Sequence, residues 1–188
     1  MKKLLSFAIF SLVVALPFPI QAQSSASLNF TPEQISALAN QEFTIDITLN
    51  TGSHNVGGAG AKIKFDPSKI EIISISPGII FPDYPRYTFD NTSGRMDISG
   101  IINTIDDTFT GSATFATFTA KALTNETTKI TFDFTPGSTT DSNIAIFTGN
   151  GDALEQVNDL TITSASPASL SFNPSNTEIS SGQTFSTS

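Results

Sequence analysis

Few side chains in this chain of 188 residues can do covalent chemistry. Cys and Trp are absent, and His54 is the single histidine. Soft metal ligands, thiol nucleophiles and most general-base arrangements are therefore unavailable. His54 stands among Gly52, Ser53 and Asn55 with no partner beside it and reads as a surface histidine. Asp106-Asp107 could be one half of a glycosidase carboxylate pair, but both lie in a polar stretch and nothing marks a second carboxylate across a cleft. Calcium is a better use for loop acids. Asp141-Ser142-Asn143 and Asn150-Gly151-Asp152 offer hard oxygen ligands, although neither fits the twelve-residue calcium loop, and no other cofactor is expected. "FPDYPRYTF", Phe81 to Phe89, is an aromatic stretch stiffened by proline. It can cap one end of a fold with Phe81 and Phe89 buried. It can equally serve as a recognition loop for a glycan or a protein, with Tyr84, Arg86 and Tyr87 as the contact residues. Two tyrosines without a tryptophan are too few for a flat cellulose platform. These residues point to contact rather than catalysis, and the expectation is a protein that is not an enzyme.

The elements that would carry such a surface are strands. In "FTIDITLN" Phe43, Ile45, Ile47 and Leu49 face one way and Thr44, Asp46 and Thr48 the other. The same period of two recurs at Arg95 to Ile98, Ile130 to Phe134 and Leu160 to Thr163. Turn dipeptides punctuate the runs at Thr51-Gly52, Asp66-Pro67, Pro77-Gly78, Ser93-Gly94, Thr110-Gly111, Pro136-Gly137 and Gly149 to Asp152. The weak helical pattern over Pro32 to Ala39 reads as a connection. Nine to ten short strands with Gly/Pro turns predict an all-β, antiparallel β-sandwich.

The N-terminus predicts export. Lys2 and Lys3 precede an apolar run from Leu4 to Leu16, and Pro17 and Pro19 end it before the small-residue site Ile20-Gln21-Ala22. Residues 1–22 read as a signal peptide. The run is shorter than the ~20 residues of a membrane span, so no membrane insertion of the mature domain is expected. With no Cys after it, a bacterial lipid anchor is excluded. The expected location is secreted or extracellular, including attachment to the cell surface. Removing two of the nine basic residues and none of the 17 acids takes the net charge from −8 to −10, which disfavours nucleic acid as a partner. Without disulfides the core must hold by packing alone.

The segment "GGAGAKIKFDPSKIEIISISPG", Gly57 to Gly78, reads as a hairpin. Ile63 and Phe65 point one way and Lys62 and Lys64 the other, Asp66 to Lys69 turn the chain, and Ile70, Ile72 or Ile73, and Ile75 carry the next strand. An alternating strand, aromatic-Asp-Pro-Ser-Lys, Glu-Ile-Ile and Ser-Pro-Gly together resemble the signature region of cohesin domains, the receptor modules of cellulosome scaffolds. "GSATFATFTAKA", "TTKITFDF" and "DSNIAIFTGNGDALEQVNDLTI" resemble later strands of that family, so the likeness runs from about Ser27 to Thr163. The resemblance implies a nine-stranded jelly roll related to cellulose-binding modules, without catalytic activity, that docks a protein partner, typically a dockerin, on one sheet face. In the best-known cohesins the stretch before the Lys62 strand presents polar side chains to the dockerin. Here it holds Gly58, Ala59, Gly60 and Ala61. The glycines open no phosphate loop, since no Gly-Lys-Ser/Thr follows.

One internal repeat completes the organisation. "ASLNFTPEQISALANQEFTID" from Ala26 aligns without a gap, 142 residues on, with "ASLSFNPSNTEISSGQTFSTS" from Ala168. The expected domains are a sandwich over 23–163, a linker over 164–167 and the truncated start of a second repeat over 168–188. The expected function is a non-catalytic binding module for a dockerin-type protein or a carbohydrate in polysaccharide attachment or breakdown. The alternative is a structural stalk repeat of an adhesin or fibre with no ligand site of its own.

Overall fold

The structure, a computed structural model, describes residues 25–104, 107–149 and 151–165. The expected signal peptide and the second repeat lie outside them. Twelve strands follow in chain order: β1 (Ser27–Thr31), β2 (Gln34–Ala37), β3 (Glu42–Asn50), β4 (Val56–Phe65), β5 (Ile70–Pro77), β6 (Asp83–Asp90), β7 (Arg95–Ile101), β8 (Ser112–Ala122), β9 (Thr128–Phe132), β10 (Asn143–Ile146), β11 (Gln156–Asn158) and β12 (Leu160–Ser164). They form two sheets, ordered β11-β1-β3-β8-β5 and β2-β12-β9-β4-β7-β6, with β10 added to β4 beyond the end of β9. The described residues contain no helix. The expected all-β sandwich of jelly-roll type is what the chain forms.

Two details differ from expectation. The strand count exceeds nine because three excursions are each split in two. β1 and β2 swap sheets around Pro32, β11 and β12 swap around Asp159, and β9 and β10 follow each other along β4. The sheets are also not wholly antiparallel, since β1 pairs with β11 and β2 with β12 in parallel. The first and last excursions run the same way along the sandwich, so where they meet they pair in parallel. The stretch over Pro32 to Ala39 thus contains a strand, and Ile35 packs against the core.

Period-two burial fills the space between the sheets. Ile45, Ile47 and Leu49 of β3 are buried, as are Ile63 and Phe65 of β4, Met96 and Ile98 of β7, and Leu160 and Ile162 of β12. At the centre Phe30 of β1 stacks on Phe132 of the opposite sheet at 4.4 Å and meets Phe118 of β8 edge-on at 6.0 Å. Gly52, Gly94, Gly111 and Gly137 all have positive φ, at four of the turns that dipeptides marked. Gly94 shows why: its φ is 66°, and a Cβ there would run into the Phe65 carbonyl.

The segment from Gly57 to Gly78 is not a hairpin. β4 lies in one sheet between β7 and β9, whereas β5 is an edge strand of the other and pairs with β8. The four-residue connection is a corner of the sandwich. Asp66 shapes it, accepting hydrogen bonds on Oδ1 from Ser68 N (2.9 Å) and Ser68 Oγ (2.6 Å), while its carbonyl accepts from Ile70 N at 2.9 Å. Ile63 and Phe65 must face the same core as Ile70 and Ile72, but from opposite sides, so the chain crosses over. A bulge after Ile72 turns Ile73 outward, 41% exposed, and restores Ile75 to the core side.

Candidate binding surface

β4, β6, β7, β9 and β10 turn one broad outer face to solvent. Directly opposite residues share a face, so the registers assemble it in rows. Asp90, Arg95, Lys64 and Thr131 form one row, and Thr88, Asp97 and Lys62 the next. Arg86, Ser99, Gly60 and Asn143 follow, then Asp83, Ile101, Gly58 and Ala145. Lys129 of β9 points the same way, because Ile130 beside it is buried and Lys129 is exposed. The face therefore carries Lys62, Lys64, Arg86, Arg95 and Lys129, five of the seven Lys and Arg among the described residues of an acidic chain. Their present partners are weak competitors. Lys64 pairs with Asp133 and Arg86 with Asp97, each at 2.7 Å, and Lys62 donates to the Thr140 carbonyl at 2.6 Å. Exposed pairs of this kind are worth about 0–1 kcal/mol and exchange readily for a partner's groups.

At Gly58 and Gly60 the other half of the face carries no β4 side chain; Gly60 is half-buried, and Gly58 is buried beside Ile101. Ala59 and Ala61 point inward and are buried, so no side chain of β4 rises there. A Cβ on Gly60 would lie 3.1 Å from Asn143 Oδ1, and one on Gly58 3.0 Å from the Gly100 carbonyl, so neighbouring groups already close in on both glycines and leave no room for a larger residue. Ile101 itself is 38% exposed.

The aromatic stretch is a strand, not a loop, because β6 pairs along β7 from Asp83 to Asp90. A bulge between Asp83 and Arg86 separates its named residues. Tyr84 turns inward. Its hydroxyl donates to the Phe115 carbonyl at 2.8 Å, and its ring lies 5.6 Å from Phe115 and 6.1 Å from Phe81, whose own ring is buried. Burial pushes the Tyr84 phenol up to about 12. Arg86 rises on the outer face, while Tyr87, opposite the buried Ile98, points to the core side at the open edge and stays 48% exposed. The three residues are thus not gathered on one face. Phe89, opposite Met96, is 38% exposed rather than buried, because β6 is the last strand of its sheet.

The loop residues serve structure. Asp152 Oδ1 accepts from the amides of Ile144 (2.8 Å) and Leu154 (2.9 Å), which ties down the segment after β10. Its Oδ2 and Asp141 Oδ1 are buried without a hydrogen-bond partner, and Asn143 Nδ2 donates to the Thr139 carbonyl. Among the described residues no three of His, Cys, Asp and Glu group together, and Asn150 lies outside them. His54 closes a tight turn, its amide donating to the Thr51 carbonyl at 3.0 Å. Asp107 is exposed, and Asp106 lies outside the described residues. The residues that sequence reasoning missed are Arg95 and the Ser99–Gly60–Asn143 row. The outward Lys62 and Lys64 were legible from alternation, and Arg86, Gly58 and Gly60 were named in the sequence without the row that joins them.

Comparison with known proteins gives one consistent result. The family model for the cohesin domain matches residues 28–152. No curated protein sequence matches the chain. Among solved structures, the seventh ScaB type I cohesin from Pseudobacteroides cellulosolvens is similar, with a TM-score of 0.61 and 14% identity over 79% of this chain and 97% of that one. A type II cohesin domain from the cellulosome of Acetivibrio cellulolyticus matches with a TM-score of 0.61 and 16% identity, over 74% and 95%. The OlpC cohesin, in a type I cohesin–dockerin complex from Clostridium thermocellum, matches with a TM-score of 0.60 and 15% identity, over 78% and 97%.

Proposed function

This chain belongs to the cohesin family, and from that premise we propose that it is a non-catalytic, exported binding module that docks a dockerin-type protein on the outer face of β4, β6, β7, β9 and β10. The observation that carries the reading is the composition of that face. Lys62, Lys64, Arg86 and Arg95, which outnumber the Asp90 and Asp97 set among them, lie beside Gly58 and Gly60, where β4 carries no side chain. The outer face of the other sheet offers Thr44, Asp46, Thr48, Thr117 and Thr119, largely bonded among themselves, and its Lys121 is paired with Glu71. A protein partner would bring the large side chains to lie over the glycines and acidic groups to meet the cations, which favours register and on-rate more than raw affinity. The cohesin–dockerin complexes among the similar structures support the partner class, and the leader pattern over 1–22 supports export. Participation in polysaccharide breakdown follows from that partner class. A direct glycan contact would have to rest on Tyr87, the only well-exposed ring that the aromatic stretch offers besides Phe89.

The test is calorimetric titration of the full chain with a panel of dockerin modules. Saturable binding should weaken about tenfold or more in Arg86→Glu and Arg95→Glu, and stay unchanged in Thr44→Glu on the opposite face. Absence of binding to every dockerin, or equal loss from both faces, overturns the reading. The internal repeat at an offset of 142 residues favours a second reading, a stalk built of tandem modules. Silence toward both dockerins and a glycan array is its expected outcome.

A further inference from the structure

We propose that the free edge of β6 is a self-association site, at which a second copy of this chain adds its own β6 antiparallel and continues the sheet across a two-fold axis. Among the described residues the first sheet ends in β11 and β5 and the second in β2 and β6, with a further edge at β10, which has four residues and is bridged at Ala145 to Asp152. β11 has three residues and β2 four, too short to hold a partner strand. β5 is interrupted by its bulge, and the Asn91 carboxamide occupies its edge, accepting from Ile72 N and donating to Ile72 O, both at 2.9 Å. β6 keeps a regular run with no strand paired along its outer side, Arg86 to Asp90 beyond its bulge and Pro85. An uncovered run of this kind is a template for another strand.

The order of side chains along that run chooses the occupant. Arg86-Tyr87-Thr88-Phe89-Asp90 reads cation, ring, hydroxyl, ring, anion, and it is complementary to itself when reversed. With the axis at Thr88, Arg86 of each copy faces Asp90 of the other on the outer face. Tyr87 faces the other copy's Phe89 on the core side, and the two Thr88 side chains meet on the axis. The pairing covers both rings that the single molecule leaves exposed, 48% for Tyr87 and 38% for Phe89. It asks Arg86 to share its guanidinium between Asp97, now at 2.7 Å, and the incoming Asp90, whose carboxylate, held low by Ser93 and Thr92, keeps lone pairs free beyond its bonds to Ser93 Oγ and Thr92 N, both at 2.7 Å. The result is one continuous outer face of two modules, which goes beyond docking by a single one.

The chain contains no cysteine, so one introduced thiol reads the axis directly. Directly opposite residues of an antiparallel pair have Cα atoms about 4.5–5.5 Å apart, inside the range a disulfide spans. Under mild oxidation full-length Thr88→Cys should cross-link to a dimer much faster than Thr44→Cys on the far sheet. The unaltered chain should show a monomer–dimer equilibrium in sedimentation. Thr88→Glu sets two carboxylates against each other on the axis and should raise the dimer dissociation constant at least about tenfold with its melt unchanged. Cross-linking of Thr88→Cys no faster than of Thr44→Cys overturns the proposal. So does a chain that stays monomeric at every concentration, or a dimer that Thr88→Glu leaves intact.

Discussion

Replacing Tyr84 and Tyr87 separately distinguishes a ring that holds the fold from one that faces solvent. Tyr84→Phe removes only the hydroxyl that donates to the Phe115 carbonyl at 2.8 Å. Gly78 N also donates to that oxygen, at 2.8 Å, so the carbonyl is not orphaned and the loss should stay near about 1 kcal/mol. Tyr84→Ala removes in addition a ring packed on Phe81 and Phe115. A fully buried aromatic truncated to Ala costs ~3–5 kcal/mol, and with Tyr84 only half-buried the expected total is roughly 2–3 kcal/mol. That is a fall in midpoint of about 10 °C for a domain of this size, and a large share of a typical stability of ~5–15 kcal/mol. Tyr87→Ala, at the open edge, should stay within about 0.5 kcal/mol. Urea and thermal melts of the three variants are the assay. A loss below about 0.5 kcal/mol for Tyr84→Ala together with more than about 1 kcal/mol for Tyr87→Ala would refute the assignment of a packed ring and an open-edge ring.

Phe118, 1% exposed and edge-on to Phe30, should cost ~3–5 kcal/mol when cut to Ala, and a denaturant melt showing less than about 1 would take it out of the core. The Tyr87→Phe variant leaves Tyr84 as the only phenol, since the chain has two tyrosines. Its tyrosinate absorbance should appear near pH 12, against about 10 for an unfolded phenol. The raised folded value means that the stability due to neutral Tyr84 is fully present below about pH 10 and is lost as pH climbs toward 12. Ionisation near 10 with the circular dichroism spectrum intact would show that the ring is not buried.

Alternation told which side chains of each strand face inward, and the structure agrees at Ile45, Ile47, Leu49, Ile63, Phe65, Phe118 and Phe132. Glycine dipeptides told where the chain turns, because positive φ is a local demand that a few residues can read. Both signals come from within a few residues, so the all-β class and the sandwich were legible in the sequence alone. Strand partnership is not local. Two alternating runs around Asp66 to Lys69 have the same pattern whether they pair in one sheet or cross to the other, and only the pairing of β5 with β8 decided it. The same holds for the binding face. Arg86, Ser99, Gly60 and Asn143 span more than fifty residues of chain and became a row only when four strands lay side by side. Tyr84 and Tyr87, three residues apart, would take opposite faces of a regular strand, but the bulge in β6 brings both to the core side, where Tyr84 meets Phe81 and Phe115 and Tyr87 is left at the open edge of the sheet.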